Sequence, residues 1–150
     1  MSLAESSVQD LTEYVRDLLA TDADLAADVA TFTTREFPYC DAFPAVHVNA
    51  TRATDDTTVG GMGRRIRTVQ LRIYVTLNRA DSTERENDLW ARVDHIRALI
   101  DGDRSFGNRL TVPVIRLPVD SVPSPTGSYY VGTRVITADC ELAELLGGPP

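Results

Sequence analysis

The segment IRTVQLRIYVTL, residues 66–77, has the clearest periodicity in the chain. From Val69 onward, apolar side chains occupy every second position, and mainly polar side chains lie between them. This period of two predicts a β-strand with one face in a hydrophobic core and the other facing outward. The buried face is expected to comprise Val69, Leu71, Ile73, Val75 and Leu77.

A second strand is predicted just before this one, over residues 45–52. Val46, Val48 and Ala50 alternate there with polar residues, including His47, as in a half-buried strand. Residues 53–65 then connect the two strands. Because this connection is rich in glycine, we predict a long, mobile hairpin loop. It contains Gly60, Gly61, Gly63, Arg64 and Arg65.

Two helices are predicted from apolar residues at helical spacing. The first covers about residues 7–20 and begins at an S-x-x-D sequence, residues 7–10. The second covers about residues 82–101 and begins at a capping box, residues 81–84. One apolar stripe of the second helix is expected to pack on the sheet. It consists of Leu89, Val93, Ile96 and Ile100.

The remaining segments are less regular. Residues 21–34 can form a further short turn of helix, and residues 37–44 contain two prolines within an aromatic connection. A third strand is predicted over about residues 110–119, with a bulge or sheet edge at Pro113. A last strand is predicted over about residues 129–142.

The order of these elements predicts an α+β fold in one domain, residues 1–150. We expect a mostly antiparallel sheet of about four strands, packed by two helices, with a long glycine- and arginine-rich hairpin loop. The C-terminal residues 147–150 are expected to form a loose tail.

Charge and composition restrict the function. The formal net charge is -7, which opposes general affinity for DNA, and every one of the 15 basic residues is arginine. This composition favours a halophilic archaeal origin, with a GC-rich bacterial origin as the alternative. The chain contains no apolar run long enough to span a membrane, and its N-terminus lacks signal-peptide features, so we predict a protein that is neither membrane-bound nor secreted.

Motifs for catalysis or cofactor binding are weak. The glycine-rich segment is followed by a strand and lacks lysine, whereas phosphate loops need a following helix and a Gly-Lys-Ser/Thr ending. Cys40 and His47 are the residues that suggest a nucleophile and base, but their spacing is uninformative, and His95 is expected to face solvent or a partner. Cys40 and Cys140 lack zinc-site spacing, and whether they pair stays open. We predict no cofactor, no metal and no enzymatic activity.

Four arginines around the predicted loop have two interpretations. They could be solubilising charge at the base of a hairpin, with Arg67 and Arg72 on the outward face of the strand. Alternatively, Arg64, Arg65, Arg67 and Arg72 present forked donors to an acidic protein neighbour. We treat them as candidate protein-interface residues.

The pattern as a whole resembles the tail terminator, or tail-completion, family of long-tailed phages and archaeal tailed viruses. The resemblance rests on a helix, an Ala-rich stretch, the lead into FPAVHV, the arginine-rich loop before TVQLRIYVTLNRAD, and the helix containing LWARVDHIRALI. Two closing strands and a short tail complete it, so the resemblance covers nearly the whole chain.

That resemblance implies a structural virion protein that assembles in the host cytoplasm. It implies a homo-oligomeric ring, usually hexameric, that caps the tail tube, ends tube polymerisation and joins the tail to the head connector. Its partners would be the tail tube protein and the head-tail connector protein, and genome DNA would pass through the lumen without specific binding. A connector or stopper ring of the neck, and a small nucleic-acid-binding protein that uses the arginine loop, remain alternatives.

Overall fold

The computed structural model describes residues 6–39, 42–56, 64–123 and 130–145. These residues form an α+β fold with three helices and a mixed five-stranded sheet. In chain order the elements are α1 (Ser7–Ala20), α2 (Ala23–Asp28), β1 (Thr31–Thr33), β2 (Ala45–Asp56), β3 (Arg64–Asn78), α3 (Ser82–Asp101), β4 (Val119–Val122) and β5 (Val131–Leu145).

The sheet has the strand order β1-β2-β3-β5-β4. β3 is central and pairs antiparallel with β2 and with β5. β1 runs parallel to β2, and β4 runs antiparallel to β5. A register shift interrupts the pairing of β2 with β3 between Ala50 and Arg52, which marks a β-bulge. This order places β1 and β2 on one flank of the sheet, and β5 and β4 on the other.

Helices cover one face of this sheet. α1 packs on β1 and β2, while α3 packs on β3 and β5. The apolar residues predicted for β3 and for the stripe of α3 all enter the core between helices and sheet. Fully buried members include Leu11, Val15, Leu19, Leu71, Ile73, Val75, Leu89, Val93, Ile96, Ile100 and Ile136.

Both predicted helices are confirmed almost to the residue. The N-cap half of the predicted capping box is confirmed, since the Asp81 carboxylate accepts a hydrogen bond from the Glu84 N–H at 2.8 Å, whereas the Glu84 carboxylate accepts from Arg79. At α1 the N-cap is Ser6 rather than Ser7, because the Ser6 hydroxyl accepts from the N–H groups of Val8 and Gln9. The predicted extra helical turn is α2, capped by Asp22.

The predicted strand over residues 110–119 is wrong for most of its length. Only an isolated bridge joins Leu110 to β5, and regular pairing begins at β4. Between these two points, backbone groups form hydrogen bonds with the turn after α3 instead of with a strand. The N–H of Val114 donates to the Arg104 carbonyl, and the Arg104 guanidinium donates to the carbonyls of Val114 and Ile115.

The loop predicted over residues 53–65 is shorter than expected. β2 continues to Asp56 and β3 begins at Arg64, so the strands include both ends of the predicted loop. Residues 57–63 and the predicted loose tail at 147–150 lie outside the described residues. Among the helices of the described residues, none combines the length and the apolar character needed to cross a membrane.

Candidate functional site

The four candidate arginines do not form one cluster in the described structure. Arg64 and Arg65 begin β3, where they pair in register with Leu145 and Glu144 of β5, and their side chains lie outside the description. Arg67 lies on the same sheet face as Val69, which corrects the prediction of an outward position. Its Nε donates to the Asp55 carboxylate at 2.7 Å. Arg67 is therefore already paired within its own chain.

Arg72 lies on the opposite face of β3, as predicted. It is in register with Asn49 of β2 and Thr137 of β5. Its Nε is buried and has no hydrogen-bond partner among the described residues. Of the candidates with a described side chain, Arg72 is thus the one whose guanidinium lacks an acidic partner in the part of the chain that the structure covers.

His47 lies on the predicted polar face of β2, opposite Val46 and Val48, but it is fully buried because this face is covered. The aromatic connection folds back over this face of the sheet. The Phe37 ring stacks on Tyr74 at 4.3 Å between centroids and contacts His47 edge-on at 5.5 Å. His47 Nε2 lies 2.9 Å from the Tyr39 carbonyl oxygen, which accepts a hydrogen bond from its N–H. Burial lowers the pKa of His47, and the hydrogen bond to Tyr39 opposes this only in part.

The other groups considered for chemistry are also held in structural contacts. The Cys140 thiol is buried in the core, and burial, assisted by Asp139, raises its pKa to about 12. Cys40 lies outside the described residues. His95, predicted to face solvent or a partner, is partly exposed, and its Nε2 lies 2.7 Å from Oδ2 of Asp22, the cap of α2. That carboxylate also accepts from the Leu25 N–H at 3.0 Å, and this hydrogen bond, with the one to His95, lowers the pKa of Asp22.

One flank of the sheet carries an open groove of about 630 Å³ between α1, the segment after β1, and β2. It exists because β1 pairs with β2 only as far as His47. Beyond that point the Asn49 side chain binds the backbone of residues 34–37. The groove is lined by Gln9, Thr12, Glu13, Thr34, Glu36, Phe37, Asn49, Ala50, Thr51 and Tyr74.

The groove is acidic. Glu13 and Glu36 line it, and its lining among the described residues includes no basic side chain. Neither carboxylate has an ion-pair partner in the part of the chain that the structure describes. Alongside it, no strand covers the outer edge of β2 from residue 48 onward within the described ranges. Unpaired strand edges of this kind readily accept another chain.

The other flank carries an exposed surface formed by the segment between α3 and β4, where apolar side chains and an arginine lie beside the carboxylates of Asp139 and Glu141. Ile115 is 79% exposed and Val112 is 46% exposed. Next to them, Arg116 has no ion pair within the described ranges. We call Val112, Ile115 and Arg116 the knob. Sequence periodicity could not find it, because the prediction placed these residues in a regular strand.

Comparison with known proteins gives no family for this chain. No protein-family model and no curated protein matches it. The functional conclusion therefore depends on the residues themselves: two dissimilar flanks, at opposite edges of one sheet, each with exposed groups that have no partner in the described chain.

Proposed function

We propose that the chain is a structural virion protein of the tail terminator type. It forms a ring, hexameric in our proposal, that caps the tail tube, ends tube polymerisation and joins the tail to the head connector. The observation that carries this proposal is the pair of dissimilar flanks, the acidic groove beside β2 and the knob beside β5. The order and periodicity of the elements, which resemble those of tail terminators, support it.

Two different surfaces on opposite sides of a protein favour head-to-tail association. Such an interface is heterologous, and it produces a ring when the rotation from copy to copy closes. A self-complementary patch would give a two-fold dimer instead. The groove and the knob consist of different residues on different elements, so each can contact the other on a neighbouring copy.

The charge of the chain is compatible with a conduit for a genome. A ring of chains with a formal net charge of -7 each repels a passing polyanion and lets it move without sticking. The arginines that would bind DNA in the nucleic-acid alternative are separated, since Arg67 and Arg72 lie on opposite faces of β3 and Arg67 pairs with Asp55. We therefore keep the ring as the proposed function.

Native mass spectrometry and electron cryo-microscopy of purified virions test the proposal. We expect the isolated chain to form closed rings and the virion to contain it at the head-proximal end of the tail tube. A monomeric chain that is absent from virions would contradict the proposal. Purified headless tails separate the two neck roles, because a terminator stays with the tail, whereas a connector or stopper ring stays with the filled head.

A further inference from the structure

We infer that the knob of one copy inserts into the acidic groove of the next copy, and that this contact builds the ring. This inference rests on the proposed function, and it adds the residues through which neighbouring copies in the ring would contact each other. The partner in this contact is a second copy of this chain. Three independent features of the described residues support it.

The first feature is position. The groove is formed by α1, β2 and the segment after β1, whereas the knob lies against β5 and the end of α3. The strand order puts these at opposite edges of the sheet. A knob can therefore reach the groove of a neighbour, but not the groove of its own chain.

The second feature is the match of apolar surface. Ile115 is the most exposed of the large apolar residues in the described ranges, and water contact with such a side chain is unfavourable. The groove offers the aromatic rings of Phe37 and Tyr74 beside Ala50. Its volume of about 630 Å³ is within the range of pockets that enclose small ligands, so it can accommodate the side chains of a short segment.

The third feature is the match of charge. Arg116 adjoins Ile115 and has no ion pair in the described chain, and the carboxylates of Glu13 and Glu36 in the groove have none either. Arginine presents a planar fork of donors that binds a carboxylate through two parallel hydrogen bonds. Opposite charges at a contact also fix its register and speed the encounter of the two copies.

Paired variants test the direction of this contact. Ile115→Asp disables the knob and leaves the groove intact, while Ala50→Trp fills the groove and leaves the knob intact. Both positions are exposed, so the monomer is expected to stay folded. Each variant alone should be monomeric, with an apparent Kd for self-association raised at least about tenfold. Mixed together they should form a one-to-one heterodimer that cannot grow, because one intact groove meets one intact knob.

Trp90→Asp is the matched control, because Trp90 is an exposed apolar residue on α3 outside both the knob and the groove. It should form rings like the wild type.

A charge exchange is a second test of the contact. Arg116→Glu should prevent ring formation, and adding Glu13→Arg and Glu36→Arg to the same chain should restore it. Circular dichroism checks the fold of every variant.

The outcomes separate the inference from the proposed function. If the wild type forms rings and both Ile115→Asp and Ala50→Trp still do, the ring stands and the knob-in-groove contact is wrong. If each variant is monomeric but the mixture gives no heterodimer, the contact is also wrong. A wild type that stays monomeric at the concentrations of virion assembly overturns both.

Discussion

The guanidinium carbon of Arg109 lies 4.1 Å from the ring centroid of Tyr14, so a turn after α3 is stacked on α1. The same two residues are held by carboxylates. The Tyr14 hydroxyl donates to Asp103, and Arg109 Nε donates to Asp10 at 2.6 Å. Between Asp103 and Arg109 the backbone of residues 106–108 has positive φ throughout. This network fixes the end of α3, and hence the start of the knob segment, against α1.

Gly107→Ala should destabilise this turn. Gly107 has φ +64°, and an added Cβ would lie 2.7 Å from Arg109 Nη1 and 2.9 Å from Tyr14 Cζ. Backbone strain and overpacking together predict a loss of about 1–3 kcal/mol in the free energy of unfolding. Urea denaturation measures it. Gly102→Ala is the control, because its nearest contact would be 3.4 Å and its φ of -76° suits any residue, so a change below about 0.5 kcal/mol is expected.

Alkaline pH should weaken the same network. The hydrogen bond to Asp103 raises the pKa of Tyr14 above its ordinary value of 10.0, and burial adds to this. A raised folded-state pKa contributes stability below the unfolded-state pKa, and that stability is lost as the pH rises through the folded-state pKa. Thermal unfolding should therefore show a higher Tm for the wild type than for Tyr14→Phe at neutral pH. The difference in Tm between the two proteins should become smaller above about pH 10. A constant difference would show that the tyrosine proton contributes nothing.

Mild acid should destabilise the fold through His47. Its pKa lies below the ordinary value of 6.5 because the ring is buried under Phe37 and Tyr39. The unfolded chain then takes up a proton that the folded chain resists, so stability is full above about pH 6.5 and falls as the pH drops below it. His47→Gln should show a smaller decrease in Tm between about pH 8 and pH 5.5 than the wild type.

The helices and long strands follow from local periodicity, and the sequence predicts them well. Leu89, Val93, Ile96 and Ile100 lie at helical spacing, and apolar residues occupy every second position from Val69 to Leu77, so each element specifies its own buried face. β1 and β4 have too little sequence for such a signal, since they consist of three and four residues. β1 is held by parallel pairing with β2, and β4 by antiparallel pairing with β5.

The groove and the environment of His47 depend on contacts between segments that are distant in the sequence. The periodicity of a single segment cannot predict such contacts. The burial of His47 follows from the return of Phe37 over the sheet, which no local pattern encodes. The groove requires α1, the segment after β1, and the bulged part of β2 to meet. The position of Arg67 could have been predicted from the sequence, however, because it lies two positions before Val69 and strand alternation puts both side chains on one face.

Gly132 marks the close contact between β5 and α3, and enlarging it should separate them. A Cβ at this position would lie 2.9 Å from Leu89 Cδ1 and 3.2 Å from Arg85 Cδ. Leu89 is fully buried and cannot move aside freely, so Gly132→Ala should cost about 1–3 kcal/mol in unfolding free energy. In a double-mutant cycle, Leu89→Ala should make the added methyl group less costly. Strictly additive effects would mean that the two side chains do not compete for space.

Arg67 and Arg72 should respond differently to the same substitution. Arg67→Gln removes an ion pair with Asp55 near the surface, so we expect a loss of up to about 1 kcal/mol in unfolding free energy and unchanged rings. Arg72→Gln removes no hydrogen bond or ion pair formed within the described residues, so the free energy of unfolding should change by less than about 0.5 kcal/mol.

If Arg72 contacts an acidic neighbour in the assembly, Arg72→Gln but not Arg67→Gln should weaken the ring or its attachment to the tube. Urea denaturation and native mass spectrometry of both variants measure the two effects. Equal behaviour of the variants in both assays would remove Arg72 from the interface and leave the groove and the knob as the surfaces that meet another chain.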